Sequence, residues 1–377
     1  MLSCLRHLFD IPDDVTYLNC AYMSPLMRSV IEAGNAALAR KAHPWELTPD
    51  QFFTGSEEFR ATAARLIGAT AECVAIVSSA SYGIATAARN LPVRKGQRIL
   101  VLDEQFPSNY YPWQRVTEER GAALKVVPWP EDGDWTAAVL NSLTEDVAIA
   151  ALPQVQWTSG GRLDLVRIGE ACRKIGAALA LDLTQSLGAL PFSVREVQPD
   201  FAVAANYKWL MGPYTTGLLY VASKWHGGRP LEENWIQRAN ARDFTSLILY
   251  TENYDAGARR FDMGERSNFA LLPAATRAMK QLLEWGVAEI SETVGALNRE
   301  LAMATAEAGF SSPAEELRAP HYLCLRRRDG ILAGLPEILA RQKVFVSVRG
   351  SSVRVTPHVY NSEKDVQRLI SVLRTAI

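Results

Sequence analysis

Between residues 73 and 221, short apolar runs alternate with stretches of helical periodicity, and this alternation leaves few architectures open. The runs fall at 73–77, 98–102, 124–127, 147–152, 178–181, 201–204 and 217–221. Helical stretches are expected at 80–90, 110–120, 135–143 and 163–175. The runs lack the polar alternation of a half-exposed strand, so both faces of each must be covered. That pattern predicts an α/β fold, a mostly parallel sheet covered by helices. Further helices are expected at 26–41 and 56–67, and long ones from 268 to 308. The last stretch reads as a smaller α+β unit, with strands at 322–326, 344–348 and 353–356 and helices at 331–341 and 362–375. The expected division is an N-terminal arm, residues 1–20, packing on the small unit; a large unit, 21–285; and the small C-terminal unit, 286–377.

Charge and cysteine usage narrow the function classes. A formal net charge of −1 gives no basic footprint for nucleic acid. The run Arg326-Arg327-Arg328, followed by Asp329, reads as a solvated strand end. The five cysteines, Cys4, Cys20, Cys73, Cys172 and Cys324, are scattered and form no C-x-x-C, which argues for a reducing compartment without disulfides or zinc. Arg6, His7 and Asp10 interrupt the N-terminal apolar stretch, so no secretory signal is expected. No run reaches the ~18 apolar residues that span a bilayer. The five histidines form no close pair, and no metal site is expected. No G-x-G-x-x-G follows a strand, which weakens a dinucleotide reading. A cytoplasmic protein is the expectation.

Ligands of such sheets sit beyond the carboxyl ends of the strands, and several chemistry-bearing residues fall there. Asp182 closes the run Ala178-Leu179-Ala180-Leu181. Read alone, it is a cap for the following turn. Lys208 sits between Tyr207 and Trp209, just before Gly212-Pro213. A turn lysine is ordinarily a solvated charge, but this apolar, tight setting predicts desolvation and a lowered pKa. Together the two suit pyridoxal phosphate (PLP) chemistry. A lysine amine forms a Schiff base with the cofactor aldehyde, and an acid keeps the pyridine nitrogen protonated so that the ring accepts carbanion electrons. An ion pair at about 4 Å and an effective dielectric of 20 is worth roughly 4 kcal/mol before desolvation. Gln185 is placed to hydrogen-bond the phenolic oxygen. Ser78-Ser79-Ala80-Ser81 precedes a helix, as a phosphate site or as a plain N-cap. Phe106, in Phe106-Pro107-Ser108-Asn109, reads as a ring stacked on the pyridine or as a core aromatic. Arg354 alternates with apolar residues, either gripping a substrate carboxylate or as an edge-strand charge.

Taken together, these segments resemble the fold-type I PLP enzymes of the aminotransferase class V superfamily. That group includes kynureninases, cysteine desulfurases, selenocysteine lyases and isopenicillin N epimerase-like proteins. The resemblance runs from about Tyr17-Leu18-Asn19 to Tyr360-Asn361-Ser362. The kynureninase cofactor pattern is matched at Ala80-Ser81, at Phe106-Pro107-Ser108-Asn109 and at Tyr207-Lys208. The resemblance implies a Tyr207 hydroxyl on the phosphate and Arg354 on the substrate carboxylate. It also implies a homodimer in which Ser267-Asn268, together with Trp235, complete the neighbouring site. Gln185 departs from the histidine usual in kynureninases and is similar to desulfurases. Desulfurases carry a mobile cysteine shortly before the carboxylate arginine. Here residues 344–353 have none, and Cys324 reads as buried strand core. The implied function is a PLP-dependent aminotransferase or kynureninase-like lyase acting on a small amino acid through a ring-stabilised carbanion. A C–S lyase, an epimerase and a catalytically silent PLP-binding protein are the alternatives. Arg162, Arg238, Arg259 and Arg260 are candidates for a second carboxylate.

Overall fold

The structure is a computed structural model that describes residues 1–328, 330, 334–349 and 351–375. After a two-residue strand, β1 (Thr16–Tyr17), come the strands of the main sheet. They are β2 (Val74–Val77), β3 (Arg98–Leu102), β4 (Ala123–Val127), β5 (Val147–Pro153), β6 (Ala178–Asp182), β7 (Phe201–Ala205) and β8 (Gly217–Val221). Their order is β2-β8-β7-β6-β5-β3-β4. Pairings among β3, β4, β5, β6 and β7 are parallel, while β8 runs antiparallel to both of its neighbours. The expected α/β fold is present, and β8 is its antiparallel member.

The apolar runs are buried on both sides because successive side chains feed different cores. Leu100, Leu102, Leu179, Leu181 and Ala204 join one cluster; Ile99, Val101, Ala180 and Val203 join the other. The helix Ala80–Asn90 lies against the second face. A Cβ on its Gly83 would meet Val203 Cγ2 at 2.5 Å, so this position requires glycine for the helix to approach β7 so closely.

The C-terminal sheet contains β9 (Phe310–Ser311), β10 (Leu323–Arg327), β12 (Ser347–Arg349) and β13 (Ser352–Val355), in the order β12-β13-β10-β9. The strand expected at 344–348 is two strands. β11 (Val344–Phe345) pairs with β1, whereas β12 pairs with β13, so the backbone changes partner near Val346. The expected helix at 331–341 begins at Leu335, residues 331–333 lying outside the described residues. The helix expected from 56 starts earlier, at Gln51. Of the run at the end of β10, Arg326 and Arg327 are half-buried, whereas Arg328 just past the strand is exposed. Arg326 lies 4.8 Å over the Trp129 ring and Arg327 5.8 Å over Phe310; Asp329 is outside the described residues.

The N-terminal residues reach the C-terminal sheet. Leu5 N–H donates to Val359 O, and Leu18 O accepts from Thr356 N–H. Cys20 N–H donates to Thr356 O, and Ser24 N–H to Tyr207 O. Residues 18–24 therefore bridge the end of β13 and the loop after β7. No helix among the described residues is long and apolar enough to cross a membrane.

Candidate active site

A cavity of about 200 Å³ opens at the edge where the parallel strands end, continuous through shared residues with an outer lobe of about 380 Å³. The combined size suits a small ligand. The inner lobe is lined from the ends of β2, β3, β5, β6 and β7 by Ser81, Phe106, Gln156, Asp182 and Lys208 among others. Tyr214 and Thr215 also line it. They precede β8, and its reversed direction brings them to the same edge. The sequence reasoning, which followed carboxyl ends alone, missed them.

Lys208 sits in the turn between β7 and β8, fixed by hydrogen bonds from Met211 N–H to Lys208 O and from Gly212 N–H to Asn206 O. Met211 and Thr215 hold positive φ, 53° and 65°, which costs energy in non-glycine residues. Lys208 is 6% exposed, and its ammonium is 5.4 Å from the Phe106 ring centroid and 5.5 Å from that of Tyr207. Burial lowers its pKa to about 8, opposed by the charge of Asp182 and reinforced by that of Arg354. Asp182 ends β6, and its Oδ1 accepts from Thr184 N–H at 2.9 Å. Burial raises its pKa, while hydrogen bonds from Thr184 and the charge of Lys208 oppose the rise. No ion pair satisfies this buried carboxylate among the described residues. It therefore suits a protonated ring nitrogen as its partner.

The other inner residues assemble around these two. Ser79 Oγ caps the helix Ala80–Asn90 by accepting from Tyr82 N–H at 3.1 Å, and it lies 2.9 Å from Ser81 Oγ. The N-cap reading of the serine turn thus holds for Ser79. The first-turn amides of Ala80 and Ser81 still face the cavity end, as unsatisfied donors do at any helix start. Gln185 is anchored twice: its Oε1 accepts from Trp209 Nε1 (3.1 Å) and its Nε2 donates to Ala21 O (3.2 Å). Tyr207 packs on Tyr214 at 4.6 Å between centroids, and burial pushes its phenol up to about 12. Ser108 also lines the lobe.

Arg354, on β13, faces the outer lobe and is 2% exposed. Its Nη1 donates to Trp157 O at 3.1 Å, and its Nε has no partner. Trp157 was not singled out from sequence, although it lies just past the end of β5. Its indole donates to Glu104 O (2.6 Å) and its ring meets Phe106 edge-on at 5.4 Å. Arg349 also lines the outer lobe and was missed. Cys324 is buried, with its thiol on Thr158 O at 3.1 Å and its pKa pushed up to about 12 by burial.

Some expected residues are elsewhere. Arg162 forms a bridge with Val155, Arg238 pairs with Glu233, Arg259 pairs with Glu57, and Arg260 lies over the Tyr254 ring. None of the four lines either lobe of its own chain. Ser267 Oγ donates to Phe52 O, Asn268 Oδ1 accepts from Leu271 N–H, and Trp235 packs against Phe244. These three line neither lobe of their own chain. Among the described residues no His, Cys, Asp and Glu cluster could hold a metal.

Comparison with known proteins bears on the family and the fold. The chain is 26% identical to the uncharacterized aminotransferase YcbU of Bacillus subtilis, over 97% of this chain and 95% of that protein. It is 26% identical to a kynureninase of Bacillus mycoides, over 93% and 82% respectively. Its fold superposes with a TM-score of 0.85 on a C-DES variant with glycine covalently linked to its PLP cofactor, at 19% identity and 98% coverage of each chain. A cysteine desulfurase of Thermococcus onnurineus gives a TM-score of 0.83 at 18% identity, over 98% of this chain and 96% of the other. The family model for aminotransferase class V matches residues 27–369, and the chain belongs to that family of PLP-dependent enzymes.

Proposed function

We propose that this protein is an aminotransferase-type PLP enzyme acting on a small amino acid. The observation that carries the reading is the buried Lys208 amine beside the Phe106 ring, in one cavity with a buried carboxylate, Asp182, that forms no salt bridge among the described residues. PLP, when bound, supplies an aldehyde for the lysine amine and a ring that takes up carbanion charge. In this reading Ala80, Ser81 and Tyr207 hold its phosphate, Phe106 and Ser108 flank its ring, Gln185 reaches its phenolic oxygen, and Asp182 holds the proton on its nitrogen. Arg354 takes the substrate carboxylate in its two-pronged fork. With the carboxylate held there, Lys208, whose amine pKa burial lowers to about 8, would be the group that takes the Cα proton and gives it back.

A desulfurase reading is weaker because, among the described residues, no cysteine lines either lobe to receive sulfur, and the exposed Cys4 lies elsewhere. Cys324 is buried on β10, and Cys20 is buried with its thiol directed at Lys208 O. A kynureninase-like lyase uses the same residues up to proton removal and differs in the product. An amino-acid panel watched by cofactor absorbance, with keto-acid, alanine and sulfide assayed together, separates these reactions. Keto-acid formation with amino-group transfer is expected; sulfide or free alanine as the main product would refute the aminotransferase reading. Asp182→Asn should keep the fold and reduce turnover sharply, and wild-type turnover would refute its role.

The working unit in this reading is a cytoplasmic homodimer. Ser267 and Asn268, with Trp235 beside them, would complete the neighbour's phosphate site, since they line neither lobe of their own chain. Loss of PLP affinity in Asn268→Ala, without loss of the dimer in sedimentation, is the expected result. Fully active monomers at high dilution would contradict it.

A further inference from the structure

We propose that the outer lobe selects substrates bearing a second carboxylate and that Arg349 is the residue that binds it. The inference rests on the reading that Arg354 holds the α-carboxylate.

Among the described residues, the outer lobe is lined by three cations, Lys208, Arg349 and Arg354, and by no aspartate or glutamate. Some exposed arginines of the chain are paired with acids, Arg28 with Asp10, Arg98 with Asp146 and Arg299 with Glu315, and others are not. Among the described residues Arg349 has no acid partner, and its Nη1 donates to the adjacent Val348 O at 2.8 Å. Arg354 has a backbone carbonyl and an orphan Nε. With Lys208 committed to the cofactor, two guanidiniums remain for the substrate.

The strand register sets them on one face. Arg349 pairs with Ser352, and Arg354 is two residues further along the same strand as Ser352. Residues two apart share a face, so the arginines are diagonal neighbours roughly 7 Å apart at the backbone. Two such forks match the two ends of a four- or five-carbon dicarboxylic acid. One carboxylate already saturates the planar fork of one arginine. Burial and the nearby charge of Arg354 both lower the Arg349 pKa, a repulsion that two anionic groups would relieve. Tyr22, Met23 and Trp157 complete the walls and supply apolar contact for the carbon chain between.

The test is isothermal titration of the PLP-loaded protein with maleate and, as a one-carboxylate control, propionate. PLP uptake is read first by absorbance. Failure to take up PLP would overturn the cofactor reading, whereas uptake without preference for maleate would overturn only this proposal. Maleate is expected to bind at least about tenfold more tightly than propionate. Arg349→Gln should weaken maleate by about 10–100-fold, the loss of one charged hydrogen-bonded pair, and leave propionate unchanged within about twofold. Arg354→Gln should weaken both. Equal losses of maleate and propionate in Arg349→Gln would mean that both arginines share one carboxylate and would overturn the assignment. A matching rise in KM for L-aspartate or L-glutamate, with kcat kept, is the kinetic counterpart. Arg349 is exposed, and unchanged circular dichroism is expected to show that the variant folds.

Discussion

Two groups of arginines lie inside this chain, and they are neutralised in opposite ways. Beneath β2, Arg60 and Arg266 are fully buried around Asp262, which is also fully buried. Asp262 accepts from Arg60 Nη1 (2.9 Å), Arg266 Nη1 (2.8 Å) and Ile76 N–H (2.8 Å). Glu57 adds a second acid; against burial, which raises it, the guanidiniums of Arg259, Arg60 and Arg266 hold its pKa down at about 2. At the outer lobe, Arg354 is almost as deeply buried and has no acid partner among the described residues. Desolvating an unpaired cation costs several kcal/mol, which the rest of the fold must offset. A buried arginine with its counter-charge supplied by the chain serves the fold; one without it stands ready for an anion from outside.

The contrast can be broken by experiment. Asp262→Ala should cost ~3–5 kcal/mol of unfolding free energy, because two guanidiniums lose their shared acid. Urea unfolding measures this, and a loss below about 1 kcal/mol would show that the cluster is not self-neutralising. Lys208→Met should act in the other direction in the PLP-free protein. The lysine pKa falls from 10.5 unfolded to about 8 folded, so below pH 8 the native state holds a charge it disfavours. Removing it should stabilise by up to ~3 kcal/mol at pH 7. Wild-type stability should rise between pH 8 and 10.5, where the unfolded chain binds the extra proton, and the advantage of the variant should fade over that window. A variant less stable than wild type at pH 7 would contradict the desolvation argument. Arg354→Met should change stability least, staying level or gaining ~1 kcal/mol, while substrate KM rises tenfold or more. Destabilisation comparable to Asp262→Ala would erase the distinction between the two groups.

The inner lobe was legible in the sequence because its geometry follows strand ends. Runs buried on both faces announce themselves as uninterrupted apolar stretches, and Asp182, Phe106 and Lys208 each lie at or just beyond one. Their convergence follows from parallel packing. What escaped notice depends on pairings that leave no local trace. β8 reads as the other strands do, so its reversal, which delivers Tyr214 and Thr215, was invisible. Arg349 follows a strand that changes partner near Val346, and the pattern 344–348 resembles one continuous strand. Its location in the cavity is set by the hairpin with β13 and by residues 18–24 folding back over it. Arg162, Arg238, Arg259 and Arg260 line neither lobe of their own chain, and the sequence offered no register to place them.

The most direct test of the central claim is borohydride reduction of the PLP-loaded protein followed by peptide mapping. A pyridoxyl group on the peptide containing Lys208, absent from Lys208→Ala, is the predicted result. A label on another lysine, or equal labelling of the variant, would contradict the assignment of this amine as the point of cofactor attachment.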